Sequence, residues 1–263
     1  MLSARSLFQE IVENDASYQL FCSIAASGEA QGGWENARIA ALLPESMRDL
    51  APKVTRHGAD EDKHGRIFNA LLKKRGLEPV AVPPETDYTM LLEQRGIGLA
   101  HEKLRRDQRL TEEDVLVYLS HSRVTEQRAA DQMDMLVKYF GDHPEVGKAI
   151  RMICNDEDNH LAYCHEELLG LAYAGHGRTI QRTLRECALA EIGVYRDVSL
   201  AVMDHMGRVL KWPGAKRAAL ALGIRAMYGY ERVGGWRRMV DLRMPEPERR
   251  NALGGPAEPA PAF

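Results

Sequence analysis

Hydrophobic residues recur along the chain at alternating spacings of three and four, which predicts long helices and few strands. Four segments carry this pattern most clearly. They run from about Ser3 to Leu43, from Pro52 to Gly76, from Thr111 to Gly141 and from Pro144 to Leu171. Pro52 suits a first helical turn, Gly76 suits a helix end, and Thr111-x-x-Asp114 is a capping sequence. The sequence therefore predicts an all-α protein built on a four-helix bundle.

Each of the four apolar stripes also contains carboxylate or imidazole side chains that face the predicted core. They are Glu29 on the first helix, Glu61 and His64 on the second, Glu126 on the third, and Glu157 and His160 on the fourth. Burying an unpaired carboxylate is costly, so this set requires counter-charges. One Glu from each of two helices, with Glu-x-x-His from each of the other two, is the ligand pattern of di-iron and di-manganese carboxylate bundles. The six residues therefore predict a site for two metal ions, with one histidine on each.

The two Glu-x-x-His pairs belong to a repeated word, DEDKH at 60–64 and DEDNH at 156–160. Asp60 and Asp156 each stand four residues before a predicted ligand histidine. Metal-bound imidazole usually donates its other N–H to a carboxylate, which fixes the orientation of the ring. We therefore predict that Asp60 and Asp156 orient the two ligand histidines. The alternative is that both aspartates are solvated.

Further residues near the predicted ligands allow two interpretations each. His57 lies one turn before Glu61 and is interpreted as a hydrogen-bonded core histidine, with a third nitrogen ligand or a proton relay as the alternative. Tyr163 follows His160 by three residues and is interpreted as a packing residue, with a redox role as the alternative. Small residues surround Glu29 and indicate either a channel for substrate or oxygen, or close helix packing. They are Ala25, Ala26, Gly28, Ala30, Gly32 and Gly33.

The charge pattern divides the chain near residue 175. Residues 1–175 carry 29 acidic and 20 basic side chains, whereas residues 176–250 carry 8 acidic and 15 basic ones. We predict a metal-binding bundle at 1–175, a basic helical C-terminal extension at 176–250 and a disordered Pro/Ala-rich tail at 251–263. The additional helices are expected at about Thr179–Leu210 and Pro213–Val240. The basic part is expected to contact the acidic part or an anionic partner, or to be a solvated helix face.

The remaining composition restricts the class of protein. The four cysteines form no C-x-x-C pair, and no segment has the 18 or so apolar residues of a membrane span. The N-terminus has acidic residues within a few positions and no long apolar stretch, so we expect no signal peptide. These features predict a cytoplasmic protein with reduced thiols and no membrane span. A homodimer is compatible with the sequence.

The combination E29…DEDKH…E126…DEDNH resembles the ferritin-like di-iron carboxylate superfamily over about residues 10–170. The segment EAQGGWENARIAALLP at 29–44 is similar to the first metal helix of aldehyde-deformylating oxygenases, although the spacing from Glu29 to Glu61 is longer here. The segment SRVTEQRAADQM at 122–133 resembles the third ligand helix of tRNA isopentenyladenosine hydroxylases. Residues after 176 match neither family.

The resemblance implies two iron ions, with manganese or a mixed Fe/Mn pair as alternatives, and O₂ as co-substrate. It implies an oxygenase or oxidase that acts on a small or lipophilic organic substrate, with an electron donor such as ferredoxin and its reductase. That function predicts an apolar cavity that reaches the metals. One alternative is a tRNA-modifying hydroxylase, with tRNA as partner and Arg182, Arg185, Lys216, Arg217, Arg237 and Arg238 as its phosphate-binding surface. The other is a ferroxidase or a peroxide-detoxifying, rubrerythrin-like protein. A structural metal site in a non-enzymatic bundle ranks last.

Overall fold

The computed structural model describes residues 3–242, which form helices and connecting turns without a strand among them. The all-α prediction is confirmed for this part of the chain. The predicted tail at 251–263 lies outside the described residues. The α-helices are α1 (Ala4–Glu13), α2 (Asp15–Leu42), α3 (Ala51–Lys74), α4 (Tyr88–Gln94), α5 (His101–Arg105), α6 (Glu112–Phe140), α7 (Gly147–Leu171), α8 (Gly177–Val209) and α9 (Gly214–Val233). Short 3₁₀ turns occupy Glu45–Leu50, Pro84–Thr86 and Gly235–Val240.

The helix limits follow local capping chemistry. Thr111 and Asp114 form the predicted capping box at the start of α6. Gly76 closes α3 with a positive φ of 70°, a conformation that glycine adopts without a steric penalty. The predicted single helix from Ser3 to Leu43 is wrong at one point, because the chain breaks at Asn14. Asn14 has an extended backbone, and its side chain accepts a hydrogen bond from the Ser17 N–H to cap α2.

Four long helices form two antiparallel pairs. In the first pair, α2 packs on α3, and Gly33 lies against Gly58 while Ala26 lies against Gly65, so the chain directions are opposite. In the second pair, α6 packs on α7 across the short connection after Phe140. The two pairs meet where α3 packs on α7. Four long helices, α2, α3, α6 and α7, are therefore present within the predicted segments.

The C-terminal helices pack on the outside of this assembly. A π-helical turn at Ala172–His176 contains Gly175 with a φ of 108° and leads from α7 into α8. Helix α8 packs along α6, and α9 packs back on α8. The π-helical turn therefore lies at the position where the charge pattern of the chain changes. No described helix has both the length and the apolar composition that spanning a bilayer requires.

Candidate metal centre

The four long helices bring all six predicted ligands to one place between them. Two sets of donor atoms could each hold a metal ion, and the donor atoms within each set lie within 4.8 Å of one another. One set, here called site A, consists of Glu29, Glu61, His64 and Glu157. The other, site B, consists of His57, Glu61, Glu126 and His160. Glu61 belongs to both sets, as expected for a carboxylate that bridges two metals.

The ring nitrogens of the histidines face the carboxylates directly. In site A, His64 Nδ1 lies 3.2 Å from Glu29 Oε2 and 3.4 Å from Glu157 Oε1. In site B, His160 Nδ1 lies 3.5 Å from a Glu61 oxygen, 3.7 Å from a Glu126 oxygen and 3.6 Å from a Glu157 oxygen. Glu157 therefore lies beside both histidines and, like Glu61, is placed to bridge.

The donor set fits divalent cations. His160 is 2% exposed, and neither of its ring nitrogens has a hydrogen-bond partner among the described residues. Its Nδ1 is nearly equidistant from three carboxylates, and such spacings of 3.0–3.7 Å are close to those of neighbouring ligand atoms around one metal ion, roughly 3 Å apart for bonds of about 2.1 Å. Among the described residues, no ion pair joins any of the four glutamates to Lys or Arg. Mixed imidazole and carboxylate ligands suit iron, manganese or zinc.

The titration behaviour of the cluster reflects this excess of negative charge. Burial and the neighbouring carboxylates raise the pKa of Glu29 and of Glu157 well above the ordinary value. Burial alone would lower the pKa of His57 and of His160, but the adjacent glutamates outweigh it and raise each pKa to about 10. The cluster therefore attracts positive charge strongly.

Asp60 and Asp156 lie on the outer side of the cluster, each beside the histidine of the other repeated word. His64 Nε2 lies 3.0 Å from Asp156 Oδ2, and His160 Nε2 lies 3.6 Å from Asp60 Oδ2, which is longer than a hydrogen bond. The pairing is crosswise because α3 and α7 run in opposite directions, so the residue four positions before one histidine lies beside the other. Asp156 therefore contacts His64 at hydrogen-bonding distance, Asp60 lies near His160 without a hydrogen bond, and neither aspartate faces the histidine of its own word.

Lys63, at the only position where the two words differ, connects both aspartates. Its Nζ lies 2.6 Å from Asp60 Oδ1 and 2.7 Å from Asp156 Oδ2. The equivalent residue of the second word, Asn159, donates instead to the backbone carbonyl of Asn155. One ammonium group serves both aspartates, so only one of the two words needs a lysine. The single difference between the two words was visible in the sequence, but the sequence did not show which partners Lys63 has.

His57 and Tyr163 both contact the centre or its neighbours. The His57 ring is stacked on the His160 ring with centroids 3.9 Å apart, and its Nε2 lies 3.0 Å from Glu61 Oε1 and 3.3 Å from Glu126 Oε1. Its Nδ1 lies 2.7 Å from the Tyr163 hydroxyl, which in turn lies 2.8 Å from the hydroxyl of Tyr118. The sequence predicted no role for Tyr118, because its spacing along α6 is that of an ordinary core residue.

Some of the small residues around Glu29 allow close packing of helices, and others line a cavity. A Cβ at Gly33 would lie 3.2 Å from the Gly58 carbonyl oxygen and would clash with the Asp62 carboxylate, so Gly33 permits close packing of α2 on α3. A Cβ at Gly28 would meet nothing within 4 Å, because this residue lines a cavity together with Ala25 and Gly32. The two functions therefore belong to different faces of α2.

The cavity has a volume of about 650 Å³ and reaches the centre. Its inner end is formed by His57 and the carboxylates of Glu29, Glu61, Glu126 and Glu157. Its outer part lies between α1, α2, α8 and α9 and is lined mainly by apolar side chains. They include Leu7, Phe21, Ile24, Met203, Leu220 and Ile224. The volume lies in the range of small-molecule binding pockets.

A second buried charge cluster, here called the Arg128 network, joins α6 to α8 and α9 beside the same cavity. The Arg128 guanidinium donates to both oxygens of Glu191 and to both oxygens of Glu231, all at 2.8 Å. Arg238 bonds Glu231 and Asp131 at 2.7 Å each. The sequence did not predict this network, because the bonds from Arg128 to Glu191 and Glu231 and from Arg238 to Asp131 each join residues more than 60 positions apart and carry no periodic signal.

Half of the predicted phosphate-binding residues are engaged in internal ion pairs. Lys216 bonds Glu10, Arg217 bonds Asp204, and Arg238 belongs to the Arg128 network. Two of these pairs connect the basic extension to the acidic first part, namely Lys216 with Glu10 and Arg238 with Asp131. Arg182, Arg185 and Arg237 are exposed. The positive charge of the extension is therefore used in part to hold it on the bundle.

The four cysteines are free and buried, in keeping with their interpretation as small core residues. The chain was also compared with known proteins. No family model, no curated protein and no solved structure matches it.

Proposed function

We propose that this protein is a non-haem dinuclear iron oxidoreductase, with manganese or a mixed Fe/Mn pair as alternatives, that uses O₂ to oxidise an organic substrate. The observation that supports it best is the combination of the two donor sets with an apolar cavity that ends on them. A structural metal site needs no such cavity, and a ferroxidase needs only a path for ions. The unpartnered His160 ring, buried among carboxylates, independently indicates a cation ligand.

The residues of the chain have distinct tasks in this proposal. Glu29, His64, Glu126 and His160 each bind one metal, and Glu61 and Glu157 lie between the two positions. Asp60 and Asp156 orient the histidines, and Lys63 holds both aspartates in place. The apolar walls of the cavity exclude water and favour a lipophilic substrate. Bound at this site, a pair of ferrous ions supplies the redox chemistry for O₂ reduction.

The overall reaction balances with an external donor. In an oxygenase, one oxygen atom enters the substrate and the other leaves as water, with two electrons from a donor such as ferredoxin and two protons from solvent. In an oxidase, both oxygen atoms leave as water or peroxide. The cavity determines which organic molecules approach the metals, so the substrate class is tested with compounds that fit the cavity.

The proposal is tested by anaerobic loading with Fe(II), metal analysis, and measurement of O₂ uptake with a reductant. A panel of alkyl and aromatic compounds that fit about 650 Å³ should increase O₂ uptake and give oxidised products. The variant Glu61→Ala should lose both the metal and the uptake, while Glu45→Ala, at an exposed glutamate outside the site, should retain both.

Other outcomes would lead to other conclusions. Metal content near zero in the wild-type protein would overturn the proposal. Rapid Fe(II) oxidation with accumulation of ferric iron, unaffected by any organic compound, would support a ferroxidase instead. Salt-sensitive binding of tRNA that is weakened in Arg182→Ala, Arg185→Ala and Arg237→Ala would support the tRNA-modifying alternative.

A further inference from the structure

His57 differs from the other histidines of the centre in which nitrogen it presents. His64 and His160 turn Nδ1 towards the glutamates and Nε2 towards an aspartate. His57 turns Nε2 towards Glu61 and Glu126, and its Nδ1 faces the Tyr163 hydroxyl. The ring is 2% exposed and lies flat against His160, so its position is set by packing on all sides. What His57 contributes depends on which of its nitrogens carries hydrogen.

The nitrogen that carries the hydrogen is determined by a chain of hydrogen bonds through Tyr163, Tyr118 and Asn36, on the side of His57 away from the glutamates. Asn36 Nδ2 donates to the Gly32 carbonyl at 3.1 Å; a carbonyl can only accept, so the amide oxygen of Asn36 must face Tyr118. Tyr118 then donates its O–H to Asn36 Oδ1 at 2.7 Å. With its only hydrogen committed, the Tyr118 oxygen accepts from Tyr163 at 2.8 Å. Each step fixes the direction of the next.

The end of the chain is the His57 imidazole. The Tyr163 hydrogen is directed at Tyr118, so the Tyr163 oxygen accepts from His57 Nδ1–H at 2.7 Å. With the proton on Nε2 instead, Tyr163 would donate to His57, and the one remaining hydroxyl hydrogen, that of Tyr118, would serve either Tyr163 or Asn36. The other contact of the Tyr118 oxygen, at 2.8 or 2.7 Å, would then join two acceptor oxygens. In neutral His57 the proton is therefore on Nδ1, and the Nε2 lone pair faces the centre.

We infer that His57 is a third imidazole ligand, bound through Nε2 to the metal in site B, and that Tyr163, Tyr118 and Asn36 are positioning residues that select its ligating tautomer. This inference rests on the proposed dinuclear metal site. A third imidazole ligand makes the two metal positions unequal. Site B has two imidazoles, from His57 and His160, whereas site A has one, from His64.

The inequality has a chemical consequence. A second neutral nitrogen ligand in site B would give its metal one more imidazole than the metal in site A, while Glu61 and Glu157 lie between both positions. The two ions should therefore differ in affinity, in spectrum and in the ease with which each is oxidised.

The most direct experiment is a crystal structure of the wild-type protein loaded with Fe(II) or Mn(II) without oxygen. We expect anomalous density for two ions and His57 Nε2 at about 2.1 Å from one of them, the usual metal–imidazole distance. Two ions with His57 Nε2 still hydrogen-bonded to Glu61 would overturn the inference and leave the proposed function standing. Absence of bound metal would overturn both.

Variants provide a readout that is independent of crystals and of activity. Mössbauer spectra of the ⁵⁷Fe(II)-loaded wild type should show two distinct ferrous components in equal amounts. His57→Leu should lose the site B component, with metal content falling from two ions per chain towards one. Tyr163→Phe leaves Nδ1–H without its acceptor and should weaken site B alone, by about 10- to 100-fold, as removal of such outer partners usually does.

A matched control comes from another buried histidine. His101 is 7% exposed and pairs with Glu35 and Glu93, outside both donor sets. His101→Leu should bind two ions with both spectral components intact. If His57→Leu and Tyr163→Phe both retain two ions with wild-type affinities and spectra, His57 is a core residue and the inference is wrong. Far-ultraviolet circular dichroism shows whether each variant is folded.

Discussion

The candidate metal centre and the Arg128 network are two buried charge clusters with opposite balance. In the Arg128 network, every carboxylate has a guanidinium partner within 2.8 Å, and Glu191 is fully buried without an unpaired oxygen. In the metal centre, four glutamates face three histidines, with no Lys or Arg paired to any of the glutamates in the described part of the chain. The first cluster is complete in itself and ties helices together. The second has its counter-charge missing from the polypeptide, which is characteristic of a site that binds cations.

The same contrast is visible in the pKa values. Burial alone would raise the pKa of Glu231, but Arg128 and Arg238 outweigh it and hold the pKa below the ordinary value. In the metal centre, burial and the other carboxylates act together, and the pKa of Glu29 rises well above the ordinary value. A buried carboxylate therefore ionises easily beside arginine, whereas Glu29 resists ionisation because burial and the neighbouring carboxylates dominate. Within the same centre, the adjacent imidazoles instead lower the pKa of Glu61 and of Glu126.

The largest expected effect is the addition of metal. At free Fe(II) or Mn(II) concentrations 100-fold above the dissociation constant, each occupied site should add about 2.7 kcal/mol to the free energy of unfolding, or about 5 kcal/mol for two. Denaturant titration without oxygen, with and without a chelator, measures this. In Glu157→Gln the stabilisation by metal should largely disappear, whereas the metal-free variant should change by no more than about 1 kcal/mol, since glutamine keeps the shape of the side chain.

The next effect concerns the Arg128 network. Arg128→Met leaves the buried Glu191 carboxylate with only the Tyr88 hydroxyl as partner, and Glu231 with only Arg238. It should lower the free energy of unfolding by about 3–5 kcal/mol, with or without metal. Arg95→Met, at an exposed pair with Asp197, is the control and should cost less than about 1 kcal/mol. A loss in Arg128→Met no larger than in the control would show that the network is not a structural element.

A smaller effect is expected at the lysine that joins the two repeated words. Lys63→Met leaves Asp60 and Asp156 without their shared partner, so the ligand histidines are held less firmly. Metal affinity should fall by about 10- to 100-fold, as measured by competition with a chromophoric chelator. Lys53→Met, on the same helix but paired with Glu167 at the surface, should bind metal like the wild type. Equal affinities in the two variants would contradict the proposed role of Lys63.

The smallest effect tests the cavity between the two clusters. Gly28→Ala adds a methyl group that meets no atom within 4 Å and should stabilise α2 by up to about 1 kcal/mol. Gly33→Ala, five residues further on, should destabilise the protein because its Cβ would lie 3.2 Å from the Gly58 carbonyl oxygen. Gly28→Leu should in addition weaken the binding of apolar compounds. If Gly28→Ala destabilises the protein as much as Gly33→Ala does, residue 28 does not face open space.

The two words DEDKH and DEDNH show where sequence reasoning is sufficient and where it stops. Glu61 with His64 and Glu157 with His160 were identifiable because residues three apart share one face of a helix. The crosswise arrangement of Asp60 and Asp156 could not be predicted, because it depends on α3 and α7 lying side by side in opposite directions. For the same reason Lys63 had no visible role, since its two partners lie on different helices.

The sequence by itself determined the helical class, most of the long helices and the six principal candidate ligands, because capping residues, apolar stripes and Glu-x-x-His spacing act within a single turn or helix. It did not determine the break at Asn14, where local capping competes with a continuous apolar stripe. Only the tertiary structure decided the orientation of His57, which depends on Tyr163, Tyr118 and Asn36 from three other helices. The cavity and the Arg128 network were likewise decided there, because both are formed by side chains distant in sequence that meet only when the helices pack.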